Sequence, residues 1–254
     1  MNIILLLIKR EILLIKKNLN SYLLGIFILP IILYLFVVAP FHTVFKLDSG
    51  MSYLYQGFPS ILFLSTLIIS FGFPLLVSQR DRYNSDNFYF LLSLNVNSYQ
   101  YTIYIILFSL LISYTQFIVS LFLIIQLASS IMITWKQLFY FVIIIFPSSL
   151  LFILLGLLCS NFIKKTYSLI MAFVFLISFL AFGIGSFVPI EYFPDNYKTI
   201  TESYNLVFHL FDMFITVFIP NEKIHLSIPI SAIFISCLLY VLNLIILSKK
   251  MSQY

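Results

Sequence analysis

The sequence predicts an all-α integral membrane protein of six transmembrane helices, with an N-terminal interfacial helix and a re-entrant or short-helix segment between the fifth and sixth spans. Three observations predict it. The 254 residues are 62% hydrophobic and 9% charged, with a mean hydropathy of +1.09. That is more apolar surface than one soluble core hides. The apolar residues come in runs of about 20, the length a helix needs to cross a bilayer. The basic residues cluster between alternate runs, which orients the chain. The whole of 1–254 reads as one transmembrane domain.

Residues 2–19 are too short and too charged to span. Asn2, Lys9 and Lys16 recur at seven-residue spacing, Arg10 and Lys17 lie beside them, and the rest is largely Ile and Leu. That spacing predicts an amphipathic elbow helix in the membrane interface, its basic face toward anionic lipid headgroups. No small-residue cleavage site follows these charges, so a cleavable signal peptide is not expected.

Spans are expected at 21–39, 58–78, 103–128, 138–160, 167–187 and 227–248. Pro30, Pro74 and Pro147 fall inside them, as kinks tolerated where neighbouring helices satisfy the freed carbonyls. Six crossings put both termini on one side. Ten of the 14 lysines and arginines mark that side as cytoplasmic: Lys9, Arg10, Lys16, Lys17, Arg80, Arg82, Lys164, Lys165, Lys249 and Lys250. The other loops hold Lys46, Lys136, Lys198 and Lys223 and six of the nine acids. Within the long outer segment 188–226, the apolar stretch 205–219 is too short to cross and reads as re-entrant or interfacial.

Few residues offer chemistry. His42, His209 and His225 are scattered, and no paired cysteines, HExxH or clustered carboxylates suggest a metal site. His209 and Asp212, three apart, read as a surface pair. Cys159 and Cys237 fall in apolar runs and read as unpaired thiols. No Gly precedes a Lys, so a phosphate-cradling P-loop is absent, and no ionisable residue lies mid-span. A self-sufficient enzyme and an ion-coupled transporter are both disfavoured. The 29 Phe and 17 Tyr read as the coding bias of a low-GC genome rather than as an aromatic substrate cavity. One polar pattern remains in the membrane. Ser109, Ser113, Gln116 and Ser120 repeat at spacings of four, three and four, a stripe suited to helix packing, to a dimer contact or to a translocation path.

Two stretches resemble the permease subunits of ABC-2 type ABC exporters. The polar island 78–102 is similar to the family pattern E-R-E-x-G-T-L-E-x-L-L-x-T-P-V-S. Asp81-Arg82 stands for the leading acid and base, Leu91-Leu92 for the paired leucines and Val96 for the Val. Asp86-Asn87 replaces the Gly-Thr, and Asn95 the Pro. The segment GIGSFVPIEYFPDNYKTITESYNL at 183–206 resembles G-x-x-x-P-I-x-x-L-P-x-W-L…N-P-L. Pro189, Ile190, Glu191 and Pro194 keep the spacing, while Asn196 and Asn205 replace the Trp and the second Pro.

The resemblance implies a permease subunit with no catalytic, cofactor or metal site of its own. ATP and Mg would belong to two separate cytoplasmic ATPase subunits. A second permease copy or paralogue and membrane lipids complete the expected partners, with no nucleic acid. The loop 79–102 would be the coupling loop, with Arg80, Asp81, Arg82, Asp86, Phe88, Leu91 and Leu92 facing the ATPase. Asn84 or Ser85 suits a helix start there, and Phe88, Leu91 and Leu92 give it one apolar face. Gly183, Gly185, Pro189, Glu191 and Pro194 would belong to an extracellular gate. The location implied is a bacterial plasma membrane. The expected activity is export of an amphipathic or hydrophobic substrate, first among them peptide toxins such as phenol-soluble modulins. Lipid-linked polysaccharide, drug or haem export are alternatives within the family. A membrane-embedded enzyme or a non-transporting receptor subunit is the alternative of another class.

Overall fold

The computed structural model describes residues 3–44, 53–83, 85–127, 134–163, 165–217 and 227–251, and they are helical almost throughout with no strand among them. The expected contributions of Asn2, Lys46, Lys164, Lys223 and His225 lie outside the described residues. Helix α1 (Ile3–Lys17) leads into α2 (Leu19–Leu33), which runs through a π-helical turn (Tyr34–Val38) into α3 (Ala39–Val44). Then come α4 (Leu54–Tyr83), the short α5 (Ser85–Ser93), α6 (Ser98–Leu127) and α7 (Trp135–Phe162). Helix α8 (Thr166–Ser178) ends in a second π-helical turn (Phe179–Gly183). A 3-10 turn (Ile190–Tyr192), α9 (Asp195–Tyr204), α10 (Leu206–Thr216) and α11 (Ser227–Met251) complete the chain.

Among the described residues, five helices are long and apolar enough to cross a membrane: Leu19–His42, Leu54–Asp81, Ser98–Leu127, Trp135–Phe162 and Ser227–Lys249. The span expected at 167–187 is shorter, an apolar helix over Tyr167–Gly183. It stops where Gly185 takes a φ of +70°, a left-handed conformation that breaks the helix without a Cβ penalty.

Helix α4 is the buried centre, with α6 and α7 packed along it and α11 outside α7. Its contact with α7 is close at Gly156, where a Cβ would come within 2.3 Å of the Phe71 carbonyl oxygen. Toward the start of α4, Phe63 meets Phe211 and Phe214 of α10 at 5.4 and 5.5 Å, and Phe214 meets Phe141 of α7 at 4.8 Å. Lipid tails are as apolar as these side chains, so close packing and polar pairs do the specifying.

The polar pairs lie where helices meet. Ser120 Oγ is 2.9 Å from Ser65 Oγ, and Ser70 Oγ donates to Ser113 Oγ at 2.8 Å. Gln116 Nε2 donates to the Ile26 carbonyl at 3.1 Å and to Ser120 Oγ at 3.0 Å. The Ile26 carbonyl is the acceptor that Pro30, four residues on, has no N–H to fill. The kink expected to need a neighbour finds one in Gln116. Elsewhere Ser160 Oγ donates to Ser78 Oγ (3.0 Å), and Asn243 Nδ2 of α11 to the Leu154 carbonyl of α7 (3.0 Å).

The α6 stripe is thereby placed. Ser109, Ser113, Gln116 and Ser120 are all fully buried inside this chain. Ser113 and Ser120 meet α4 and Gln116 meets α2, whereas the Ser109 hydroxyl is buried without a hydrogen-bond partner. The cause is geometric: α4 carries its own serines at matching heights.

Candidate functional site

Two polar assemblies stand at opposite ends of α4. The first joins α1 to the end of α4. The expectation put Arg80 and Asp81 in the coupling loop, facing the ATPase, but α4 runs on to Tyr83 and carries both on its last turns. Asp81 is fully buried. Arg10 Nη2 donates to both of its carboxylate oxygens at 2.9 Å, and to Glu11 Oε1 at 2.8 Å. Arg80 Nη2 donates to Glu11 Oε1 at 2.6 Å and to Asp81 Oδ1 at 3.1 Å. Two cations and two anions cancel, which is what allows such charges to be buried.

Burial alone would raise the Glu11 carboxyl. Hydrogen bonds and charge from Arg80 and Arg10 outweigh it and hold Glu11 below its ordinary value. Burial likewise works against the charge on Arg10, and Asp81 and Glu11 overcome it. Arg10 Nη1 and Glu11 Oε2 are buried without a hydrogen-bond partner in the structure.

This corrects the elbow helix. Lys9, Lys16 and Lys17 are exposed, as a headgroup-facing set would be. Arg10 is not one of them, because one helical step turns it to the protein side with Glu11 and Leu7. Glu11, an acid among basic residues, was the signal that sequence reading passed over.

Helix α5 lies against this cluster. Arg10 Cζ sits over the Phe90 ring, 5.6 Å from its centroid. Leu91 is 6% exposed and belongs to an apolar cluster with Leu7, Tyr101 and Tyr104. It was expected to face a partner, but α5 needs it as its own anchor, and Tyr89, 68% exposed, points away instead. The side chains of Arg82, Asp86, Phe88 and Leu92 lie outside the described set. Asn95 ends the helix with a φ of 47°, a left-handed residue that Asn tolerates. The Val96 N–H then reaches back to the Leu91 carbonyl at 3.4 Å. Asn at the position of the family's Pro is therefore a helix cap.

The second assembly holds the chain after α8. Gln56 Nε2 donates to the Gly185 carbonyl at 2.8 Å and to that of Ser186 at 3.3 Å, Ser60 Oγ donates to Ser186, and Tyr53 Oη to Phe187 at 2.6 Å. Three consecutive carbonyls are thus bound from the start of α4. Ser186 Oγ turns back onto the Leu180 carbonyl (2.6 Å), and Tyr197 Oη of α9 onto that of Gly183 (2.8 Å). Pro189 and Pro194 each precede a helical turn, of which Glu191 is the middle of the first and α9 is the second. Asn205 caps α10, its Oδ1 accepting from the N–H groups of Val207 and Phe208. Asn at the family's second Pro is again a cap.

A family model described as ABC-2 type transporter matches residues 3–219, from the start of α1 to just beyond α10. No curated protein and no solved structure matches the chain.

Proposed function

The chain belongs to the ABC-2 type transporter family, and on that premise we propose that it is the permease subunit of an ATP-driven exporter whose ATPase docks on α5. The family makes it a multi-pass membrane component of an ABC transporter. The finer reading has both termini and α5 cytoplasmic, Tyr167–Gly183 crossing as a sixth, short span, and the region from Gly183 through α10 forming the outer gate. A helix of that length is near the lower limit for crossing, about 17 residues. Two ATPase subunits supply ATP and Mg chemistry, and a second permease copy or paralogue completes the pathway. The substrate proposed is amphipathic or hydrophobic, with peptide toxins of the phenol-soluble modulin kind first.

The observation that carries the reading is α5 itself. It is a short helix after α4 that anchors one side on α1 and presents the large aromatic Tyr89 largely exposed. Exposed aromatic anchors are what docking surfaces supply. The test is purification of the tagged full-length chain from native membranes, with mass spectrometry of what is retained. An ABC ATPase in equal amount with the wild type, and its loss with Tyr89→Ala, supports the proposal. A folded wild type that never retains an ATPase refutes it. A bound amphipathic peptide supports the substrate class, and a bound polyprenyl-linked sugar or haem replaces it.

A further inference from the structure

We propose that Arg10 is the positioning residue for α5: its guanidinium stands over the Phe90 ring while Asp81 and Glu11 hold it in place. Helix α5 is then seated on α1 and α4 rather than hung from the short connections at its ends. The inference rests on reading α5 as the ATPase dock, and it gives that dock a route into the chain.

A helix of nine residues is not stable alone in water and needs tertiary anchors. Helix α5 has Leu91 in the apolar cluster and Phe90 beneath Arg10. A guanidinium serves here because it is planar. Its in-plane Nε and Nη2 bind the carboxylates of Glu11 and Asp81 while its Cζ stands over the aromatic ring. A lysine ammonium has no such division of labour. Arg10 belongs to α1 and its carboxylate partner Asp81 to α4, so displacement of the Phe90 ring is delivered to both helices at one residue. Tyr104 of α6 stands at the same point, its Oη 3.5 Å from Arg10 Nη2.

The test is amide hydrogen exchange, followed by mass spectrometry, on the full-length protein in lipid nanodiscs without any ATPase. Phe90→Leu keeps apolar bulk and removes the π face. It should speed exchange across α5 by about ten-fold, within the range a partly buried cation–π contact provides, while α6 and α7 stay unchanged. Phe90→Tyr should restore the wild-type rate. Arg10→Lys should loosen α5 in the same way, and if it unfolds the bundle, the two Phe90 variants decide. Unchanged α5 exchange in Phe90→Leu overturns the proposal, as does an equal rise in Phe90→Tyr or a rise spread over the whole bundle. The permease alone is measured, so the seat is judged separately from the dock, which the Tyr89→Ala purification tests.

Discussion

Tyr89 and Leu91 are two residues apart on one short helix, and truncating each should do opposite things. Leu91 is 6% exposed and packed with Leu7, Tyr101 and Tyr104, whereas Tyr89 is 68% exposed. Leu91→Ala removes a buried side chain and leaves a cavity, which costs about 2–5 kcal/mol in packed cores. The site lies at the end of α4 beside charged groups, outside the apolar spans, so the water-driven part of that cost applies. Tyr89→Ala removes a side chain that is largely exposed, and should cost well under the Leu91 change, about 0.5 kcal/mol. If Tyr89 anchors the ATPase, its loss weakens docking by about 2 kcal/mol, roughly 30-fold.

The assay pairs thermal unfolding of the purified permease in detergent with ATPase retention from native membranes. Leu91→Ala should lower the unfolding midpoint by several degrees, and Tyr89→Ala should leave it in place while releasing the ATPase. An unshifted midpoint in Leu91→Ala would contradict the inward packing of α5. Full ATPase retention by a well-folded Tyr89→Ala would move the dock elsewhere.

Other outcomes follow from the same geometry. Gln116→Leu strips the Ile26 carbonyl of its donor and should cost about 1 kcal/mol, the usual size of an interhelical hydrogen bond; in a Pro30→Ala background, where the backbone N–H returns, the cost should shrink, which a double-mutant cycle reads directly. Gly185→Ala should lose about 1–2 kcal/mol through its φ of +70° alone, since its Cβ would meet nothing nearer than 3.5 Å. Gly156→Ala should lose more, because the Phe71 carbonyl stands where the methyl must go, and urea unfolding in mixed micelles ranks the pair. Glu11 is held below its ordinary 4.5, so its stabilisation is complete above that pH and is lost as pH falls through the lowered folded value. Glu11→Gln should therefore flatten the acid limb of stability against pH while lowering the plateau at neutral pH.

The spans were legible because about 20 apolar residues have few soluble uses, and the α6 stripe was legible because its spacing closes on one helical face. Its partner was not, since Ser65 and Ser70 are ordinary serines until α4 is laid beside α6. Tyr53, Gln56 and Ser60 follow the same three-then-four rule and hold the carbonyls after α8. The periodicity that found the α6 stripe would have found them. The four-charge cluster was harder. Arg10-Glu11 and Arg80-Asp81 are complementary pairs, but some 70 residues separate them and charges near a span's end are ordinarily solvated. Only the turn of α1 that carries Leu7 inward brings Glu11 with it.

The spacing of these contacts explains why α4 holds one register. Polar groups on its surface are engaged at Gln56, Ser60, Ser65, Ser70, Ser78, Arg80 and Asp81, from one end of the helix to the other. A slip of one residue shifts a helix by about 1.5 Å and turns it by about 100°. The interhelical pairs would then be lost. The hydroxyls of Ser60, Ser65 and Ser70 would fall back on carbonyls of their own helix, while the Gln56 amide and the charges of Arg80 and Asp81 would have no such substitute. Apolar contacts would penalise the slip only gradually, because one branched aliphatic surface fits lipid or protein nearly as well as another. Helix α8 shows the contrast. Its described residues meet α4 through the Phe173 ring, 5.9 Å from that of Phe71 and against Gly72. Shape holds α8, and paired polar groups hold α4.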